Sequence, residues 1–441
     1  MAKAMYAVVG GATKKIKSAY CVVGGVTKKL KAVYAVVDGK TKVVWTGGGV
    51  QPKWQGVVYK SNTSDDYYGK LQLRPRTKGT FNLVWPTPTV SSDTAPYCSS
   101  ICVSEDGVWC GSMSSSSITF YKYDGTTFQQ TAMVQIPSPA NSGTRKAFLN
   151  SDGSVLAVVH STPSTSNSSS VFMSFFTNNN GTSLTLIKTI TLLKTAIHSS
   201  YPSYCNMVYF DMDLKWQYIA LGTYFYNSDY PYGYRGRAIL KLNSDFSATT
   251  IATSGTPYDE DYYVDDGSIE AYMDPNGRYA IIGEKDTQST DTDYQWLDYY
   301  RQGMYYLSNG TATKMSTSLD NGTRLMWWGI PFSSNDGKTL YIQREAGSGA
   351  YSQSLLCYSC SGSSITSLGS YTLGNYVSCL KELFTDDIHG LIHYAEEQNN
   401  SDFGRYFATF SKNANGLITA CARSTYVGGP DTSYALVGRE F

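Results

Sequence analysis

Apolar and polar residues alternate along most of this chain in runs of four to eight, each ending at a turn rich in Gly, Asp or Asn. Almost nowhere do apolar residues return at helical spacing over three turns, so the pattern predicts strands. The clearest copy of a larger unit reads KAFLNSDGSVLAVV (146–159), then VFMSFF (171–176), then LTLIKTI (184–190). That is a strand, a tight turn, a second strand, a loop, a third strand, a turn and a fourth. EAYMDPNGRYAIIG (270–283), PFSSNDGKTLYIQ (331–343) and ELFTDDIHGLIHYA (382–395) open further copies. The first turn of each copy falls at Asp106-Gly107, Asp152-Gly153, Asp213-Leu214, Asn276-Gly277, Asp336-Gly337 and near Asp387-Gly390. The spacing runs from about 45 to about 65 residues, which suits four-stranded propeller blades carrying loop insertions.

Six full copies leave two ends. Residues 54–85 offer WQGVVYK, GKLQLRP and TFNLVW, which read as the second, third and fourth strands of a blade lacking its first. The C-terminal SYALVGREF (433–441) offers a lone strand. Joined, they complete a seventh blade and remove the open sheet edges. The expected fold is therefore all-β: a seven-bladed β-propeller over 54–441, closed by strand 433–441, preceded by a linker over 47–53 and an N-terminal arm over 1–46. The body resembles β-propellers generally. It lacks the His and Trp-Asp signature of Trp-Asp repeats and the paired glycines of kelch repeats, so no subfamily follows.

The arm has a repeat of its own. MYAVVGGATKKIKS (5–18), AYCVVGGVTKKLKA (19–32) and VYAVVDGKTKVVWT (33–46) align Tyr6, Tyr20 and Tyr34, and the first two align Lys14 and Lys15 with Lys28 and Lys29. Gly-Gly and Asp-Gly supply the positive φ angles of tight hairpin turns, which predicts a six-stranded meander or three stacked hairpins. The units resemble the short, Lys-rich tandem repeats at the N-termini of prophage tail-associated proteins. That resemblance covers about a tenth of the chain and implies a particle-attachment role for Tyr6, Lys14, Lys15, Tyr20, Lys28, Lys29 and Tyr34.

Composition sharpens this picture. Charged residues make up only 16% of the 441, while Tyr alone numbers 37, and the polarity comes from Ser, Thr, Asn and Gly. Residues 1–46 hold nine Lys and one acid, a net +8; the other 27 basic and 34 acidic residues leave −7 on the rest. A basic arm thus precedes an acidic body. The start reads as no signal peptide, because its apolar run breaks at Gly10-Gly11, and no run is long enough to span a membrane as a helix. A protein made in the cytoplasm and carried on a virion or extracellular particle is the expected localisation. The nine cysteines are scattered, and the lone Cys357-x-x-Cys360 lacks the two further ligands of a zinc site. Reduced cysteines are expected.

In four-stranded blades the first-to-second and third-to-fourth turns share one face, and the other connections share the opposite one. Here the first set is short. The second includes SNTSDDYYG (61–69), TYFYNSDYPYGYRGR (223–237), GTPYDEDYYVDD (255–266), DTQSTDTDYQWLDYYRQG (286–303) and EEQNNSDFGR (396–405). Rigidly held Tyr and Trp give large contact area with a polar tip. They nominate a ligand-binding set of Tyr224, Tyr226, Tyr230, Tyr232, Tyr234, Arg235, Tyr262, Tyr263, Tyr294, Trp296, Tyr299, Tyr300 and Arg301. No cofactor is expected. Asp259-Glu260-Asp261, Asp265-Asp266 and Asp291-Thr292-Asp293 could hold Ca²⁺, but none follows a known calcium-loop spacing.

No Asp box, nucleophile elbow or phosphate loop stands out. The expected function is therefore non-enzymatic. A virion or phage-tail-like structural and receptor-binding protein would attach by its arm to other virion or tail proteins and bind a cell-surface glycan or protein through the propeller. A homo-oligomer within the particle is expected, with no nucleic acid and no membrane insertion. The alternatives are a propeller glycosidase or lyase acting on surface polysaccharide, with Asp261, Asp265, Asp298 or Glu397 among its carboxyls, and a cytosolic scaffold.

Overall fold

The computed structural model describes residues 6–9, 12–15, 20–23, 26–29, 32–37, 40–46, 55–60, 69–70, 91–92, 100–104, 108–113, 116–123, 128–141, 144–161, 170–194, 204–226, 233–253, 271–284, 301–315, 331–334, 336–346, 352–375, 377–386, 391–398, 404–423 and 432–437. Among them every regular element is a strand and none is a helix. The chain forms two compact units, residues 1–53 with 439–441, and residues 54–438.

In the first unit, Tyr6–Val9 pairs with Ala12–Lys15, Tyr20–Val23 with Val26–Lys29, and Ala32–Val37 with Lys40–Thr46, all antiparallel. Among the described residues each pair is a two-stranded sheet of its own.

Among the described residues the second unit contains six four-stranded antiparallel sheets, each with its strands in chain order. Sheet I is Ser100–Val103, Trp109–Met113, Ser117–Tyr123 and Phe128–Gln135. Sheet II is Thr144–Leu149, Val155–Ser161, Ser170–Asn178 and Leu184–Lys194. Sheet III is Tyr204–Met212, Tyr218–Tyr226, Gly233–Leu242 and Ala248–Thr253. Sheet IV is Ala271–Met273, Tyr279–Glu284, Arg301–Ser308 and Thr311–Lys314. Sheet V is Pro331–Ser333, Thr339–Ala346, Ser352–Ser361 and Ser364–Asn375. Sheet VI is Val377–Asp386, Leu391–Gln398, Gly404–Lys412 and Ile418–Arg423. Outside these, Gln55–Lys60 pairs antiparallel with Thr432–Val437, and Gly69–Lys70 with Ser91–Ser92.

One turn design recurs. In sheets I to V the residue closing the first strand donates its N–H to the carbonyl five residues on: Ser104 to Trp109, Asn150 to Val155, Asp213 to Tyr218, Asp274 to Tyr279 and Ser334 to Thr339, at 2.8–3.2 Å. Its side chain then accepts backbone N–H groups of the same turn. Ser104 Oγ takes Trp109 N at 2.9 Å, Asn150 Oδ1 takes Val155 N at 2.8 Å, and Asp213 Oδ1 takes Tyr218 N at 2.7 Å. Ser334 Oγ takes Thr339 N at 3.0 Å, while Asp274 takes Asn276 N and Arg278 N. Buried turn donors are thereby satisfied. Three residues past the cap the chain needs a positive φ, met by Gly153 (72°), Gly277 (68°), Gly337 (73°) and, in sheet III, by Trp216 (56°).

Because side chains alternate across a strand, each inner strand has two apolar faces, and each face packs on a neighbouring sheet. Leu156 and Val158 join Trp109, Ile118 and Phe120 of sheet I, while Ala157 and Val159 join Ile219, Leu221 and Leu240 of sheet III. Equivalent cores join sheets III and IV, IV and V, and V and VI. Large rings at the head of the second strand in sheets I, III, IV and V seat on the third-to-fourth turn of the next sheet, which carries a glycine. Tyr218 Oη accepts Gly310 N at 2.9 Å, Tyr279 Oη donates to Gly362 O at 3.0 Å, and Tyr341 Oη donates to Gly416 O at 2.7 Å. A Cβ on Gly181 would meet the Trp109 ring at 2.9 Å.

Sheet II inverts this arrangement. Its second strand begins with the smaller Val155, and the facing turn of sheet III carries Phe246 at φ 59° instead of glycine. Phe246 stacks on Phe175 at 4.5 Å, Trp216 lies 6.2 Å from the same ring, and Val155 packs in the same core. The ring volume is supplied from the opposite side of the interface. Phe246→Gly should destabilise by about 2 kcal/mol through lost packing, and Val155→Tyr by about 1–3 kcal/mol through overpacking. In the double variant the two costs should offset each other by at least about 1 kcal/mol, read by denaturant titration of all four proteins. Gly277→Ala should cost about 1–3 kcal/mol, since its Cβ would stand 2.9 Å from Asp213 Oδ2.

Candidate functional site

The antiparallel order within each sheet places its first-to-second and third-to-fourth turns at one end. Residues 104–108, 150–154, 213–217, 274–278 and 334–338 make the first-to-second turns there. The second-to-third connections and the links between sheets leave from the opposite end, among them 227–232, 254–270, 285–300 and 316–330. The longest polar connections therefore all start and finish at that end of their sheets.

The nominated binding residues divide accordingly. Tyr224, Tyr226, Tyr234 and Arg235 sit on paired strands at this end of sheet III, in the register Tyr224↔Arg235, Phe225↔Tyr234 and Tyr226↔Gly233. Arg301 pairs with Glu284 at the same end of sheet IV. Glu397 lies at this end of sheet VI, opposite Arg405. Tyr230, Tyr232, Tyr262, Tyr263, Tyr294, Trp296, Tyr299 and Tyr300 lie outside the described residues, as do Asp259, Glu260, Asp261, Asp265, Asp266, Asp291, Asp293 and Asp298. In the N-terminal hairpins Tyr6 pairs with Lys15, Ala7 with Lys14, Tyr20 with Lys29, Cys21 with Lys28, and Tyr34 with Val43.

Among the described residues no group of three or more His, Cys, Asp or Glu could hold a metal ion. Cys357 and Cys360 are both free. Three residues apart on one strand they point to opposite faces: Cys357 enters the core between sheets V and VI, and Cys360 that between IV and V. Burial raises both thiols above their ordinary range. One ion cannot bind both.

Two polar arrangements escaped the sequence reading. His160, buried near the long-connection end of sheet II, places Nε2 2.9 Å from Ser174 Oγ, which lies 2.8 Å from Thr189 Oγ1. The imidazole stacks on Phe172 at 5.4 Å. Burial lowers its pKa to about 4, so the ring is neutral at physiological pH. This is a His–Ser hydrogen bond of catalytic length, but Ser174 is completely buried. The pair holds three strands together, and a substrate does not reach it. The second arrangement is the pair of turn carboxylates. Burial pushes Asp213 up to about 6 against three backbone N–H bonds, with Asp274's charge adding to the rise. Burial raises Asp274 too, while it receives Ser333 N at 2.9 Å and Ser333 Oγ at 2.7 Å. Arg278 Nη1 donates to Ser334 O at 2.7 Å. These groups tie sheet IV to sheet V. The Asp213 turn was legible in the sequence; a lone His in VLAVVHS gave no comparable signal.

No family model matches the sequence, and no curated protein does. Solved structures do match. A periplasmic gluconolactonase of Pseudomonas aeruginosa aligns with a TM-score of 0.50 at 13% identity, covering 87% of this chain and 99% of that one. A candidate 6-phosphogluconolactonase of Bacteroides fragilis gives 0.51 at 11%, covering 88% and 98%. Another, from Bacteroides uniformis, gives 0.50 at 12%, covering 88% and 100%. The body is thus a β-propeller of the architecture these proteins share.

This corrects the expectation of a non-enzymatic virion or phage-tail protein: the three propellers it aligns with are named as a gluconolactonase and two candidate 6-phosphogluconolactonases, and receptor binding and host adhesion find no support among them. The inference from missing motifs failed for a physical reason. In a propeller the groups around the axis come from separate blades, so a catalytic set leaves no contiguous signature in the chain.

The buried histidine yields a pH test. Its folded pKa lies below the ordinary 6.5, so its neutral form contributes stability fully above pH 6.5 and loses it as pH falls toward 4. Asp213, raised, runs the other way, its contribution falling as pH rises from 3.8 to about 6. His160→Gln keeps a hydrogen-bonding partner for Ser174 without titrating. Between about pH 7 and pH 4 the wild type should lose about 3 kcal/mol more stability than this variant, measured by urea denaturation; equal slopes would remove the assignment.

Proposed function

We propose that this chain is a hydrolytic propeller enzyme acting on a carbohydrate-derived substrate, either the lactone of a sugar acid or a linkage of a surface polysaccharide. What carries the reading is the match along nearly the full length of three lactonase-type propellers. Fold alone does not make an activity, and the distribution of polar residues adds support. The long connections at one end of the sheets hold Asp261, Asp265 and Asp298, with Glu397 at a strand end on the same side. Lactone hydrolysis needs a base to take a proton from the attacking water and donors for the carbonyl oxygen as it becomes an oxyanion. A glycosidase needs two carboxyls across the scissile bond. Tyr224, Tyr226, Tyr234, Arg235 and Arg301 would then orient the sugar.

The ring itself is read as seven-bladed. Strand 432–437 lies beside the first strands of sheets I and VI and pairs with 55–60. A seventh blade built from both chain ends accounts for all three contacts.

Purified protein should hydrolyse glucono-δ-lactone or an acidic or neutral bacterial polysaccharide above the uncatalysed rate, followed by pH-stat titration or reducing-sugar release. Glu397→Gln, Asp261→Asn and Asp298→Asn should include at least one variant slowed about 100-fold or more. Background rates on both substrate classes would refute the enzymatic reading.

A further inference from the structure

We infer that the first two N-terminal hairpins bind an acidic polysaccharide, which rests on the carbohydrate-directed reading above. The observation is a repeated juxtaposition. Tyr6 lies directly across the strand pair from Lys15, and Tyr20 from Lys29, so each Tyr shares a sheet face with a Lys. The next pair on that face is Val8↔Thr13 in the first hairpin and Val22↔Thr27 in the second. On the opposite face Lys14 lies across from Ala7, and Lys28 across from Cys21. The third hairpin departs from this: Tyr34 lies across from Val43, and Lys42 across from Ala35 and Lys40 across from Val37 fall on the other face, so it adds charge without the Tyr–Lys pair. The segment holds nine lysines against the single acid Asp38, while the rest of the chain is net negative. This positive charge is therefore concentrated in one repeating segment.

A uronic acid unit presents an apolar ring face and a carboxylate. A Tyr and a Lys at directly opposed register positions supply the two chemistries that match those features. A neutral glycan would use the aromatic and leave the lysines without partners. An isolated two-stranded hairpin is marginally stable in water, so a bound polymer running along successive hairpins would also order them. Such a surface would hold the enzyme on its polymer, each hairpin adding to the affinity of the others through effective concentration.

The test uses the full chain against polygalacturonate, neutral dextran and single-stranded DNA, with binding read by affinity electrophoresis. Polygalacturonate should bind, dextran should not, and affinity should fall about tenfold or more between about 0.05 and 0.3 M NaCl. The fourfold variant Lys14→Gln, Lys15→Gln, Lys28→Gln, Lys29→Gln should weaken binding by at least about tenfold. Tyr6→Ala with Tyr20→Ala should weaken it several-fold, which a surface acting by charge alone would not show. No binding to polygalacturonate, equal binding to dextran, or tighter binding to single-stranded DNA than to polygalacturonate would overturn the proposal. Both sets of variants should retain full turnover of a small lactone. Binding without turnover by the wild type would count against the enzymatic reading and leave this surface standing.

Discussion

Everything in the body of this protein depends on each four-stranded sheet burying both of its faces against its neighbours. A sheet with one apolar face can stop at two layers; a sheet with two must continue to a third and a fourth. Leu156 and Val158 point one way from sheet II while Ala157 and Val159 point the other, and the five consecutive cores from sheet I to sheet VI repeat this division. Closing the series into a ring is the arrangement that leaves no apolar face in water.

The turns make that packing precise. In sheets I, II, III and V a Ser, Asn or Asp closing the first strand accepts the N–H of the residue five on, which holds the first two strands in register. The ring at the head of the second strand in sheets I, III, IV and V then reaches the next sheet's third-to-fourth turn, while sheet III returns Phe246 toward sheet II. Between sheets IV and V, the carboxylate of Asp274 and the guanidinium of Arg278 extend the same turn into neighbouring backbone. These constraints converge on the short-turn end of sheets I to V. The opposite end is left to long polar connections, where variation does not disturb the cores.

Much of this was legible in the sequence because short turns have obligatory chemistry. Asp-Gly and Asn-Gly supply the positive φ that such turns require, so those at Asp152-Gly153, Asn276-Gly277 and Asp336-Gly337 could be read directly, although the capping side chains lie further upstream at Asn150, Asp274 and Ser334. The turn at Asp213 could be recognised by its place in the repeat, although Trp216 takes the position glycine occupies elsewhere. The exchange of ring volume between Val155 and Phe246 was invisible, since it depends on which residues face each other across an interface. So was the His160–Ser174–Thr189 chain, because a lone histidine in an apolar strand carries no signature of its partners. The functional class was misread for a related reason. Residues from different blades meet only in space, and their absence as a linear motif said nothing about catalysis.

If the protein is a carbohydrate-directed propeller enzyme, its substrate must engage the end of the sheets where the long connections lie. Hydrogen–deuterium exchange with and without a slowly turned-over lactone analogue addresses this directly. Protection should appear in 227–232, 254–270 and 285–300, leaving the turns at 150–154, 213–217 and 274–278 unchanged. Protection confined to those short turns, or no change anywhere in the body, would contradict it.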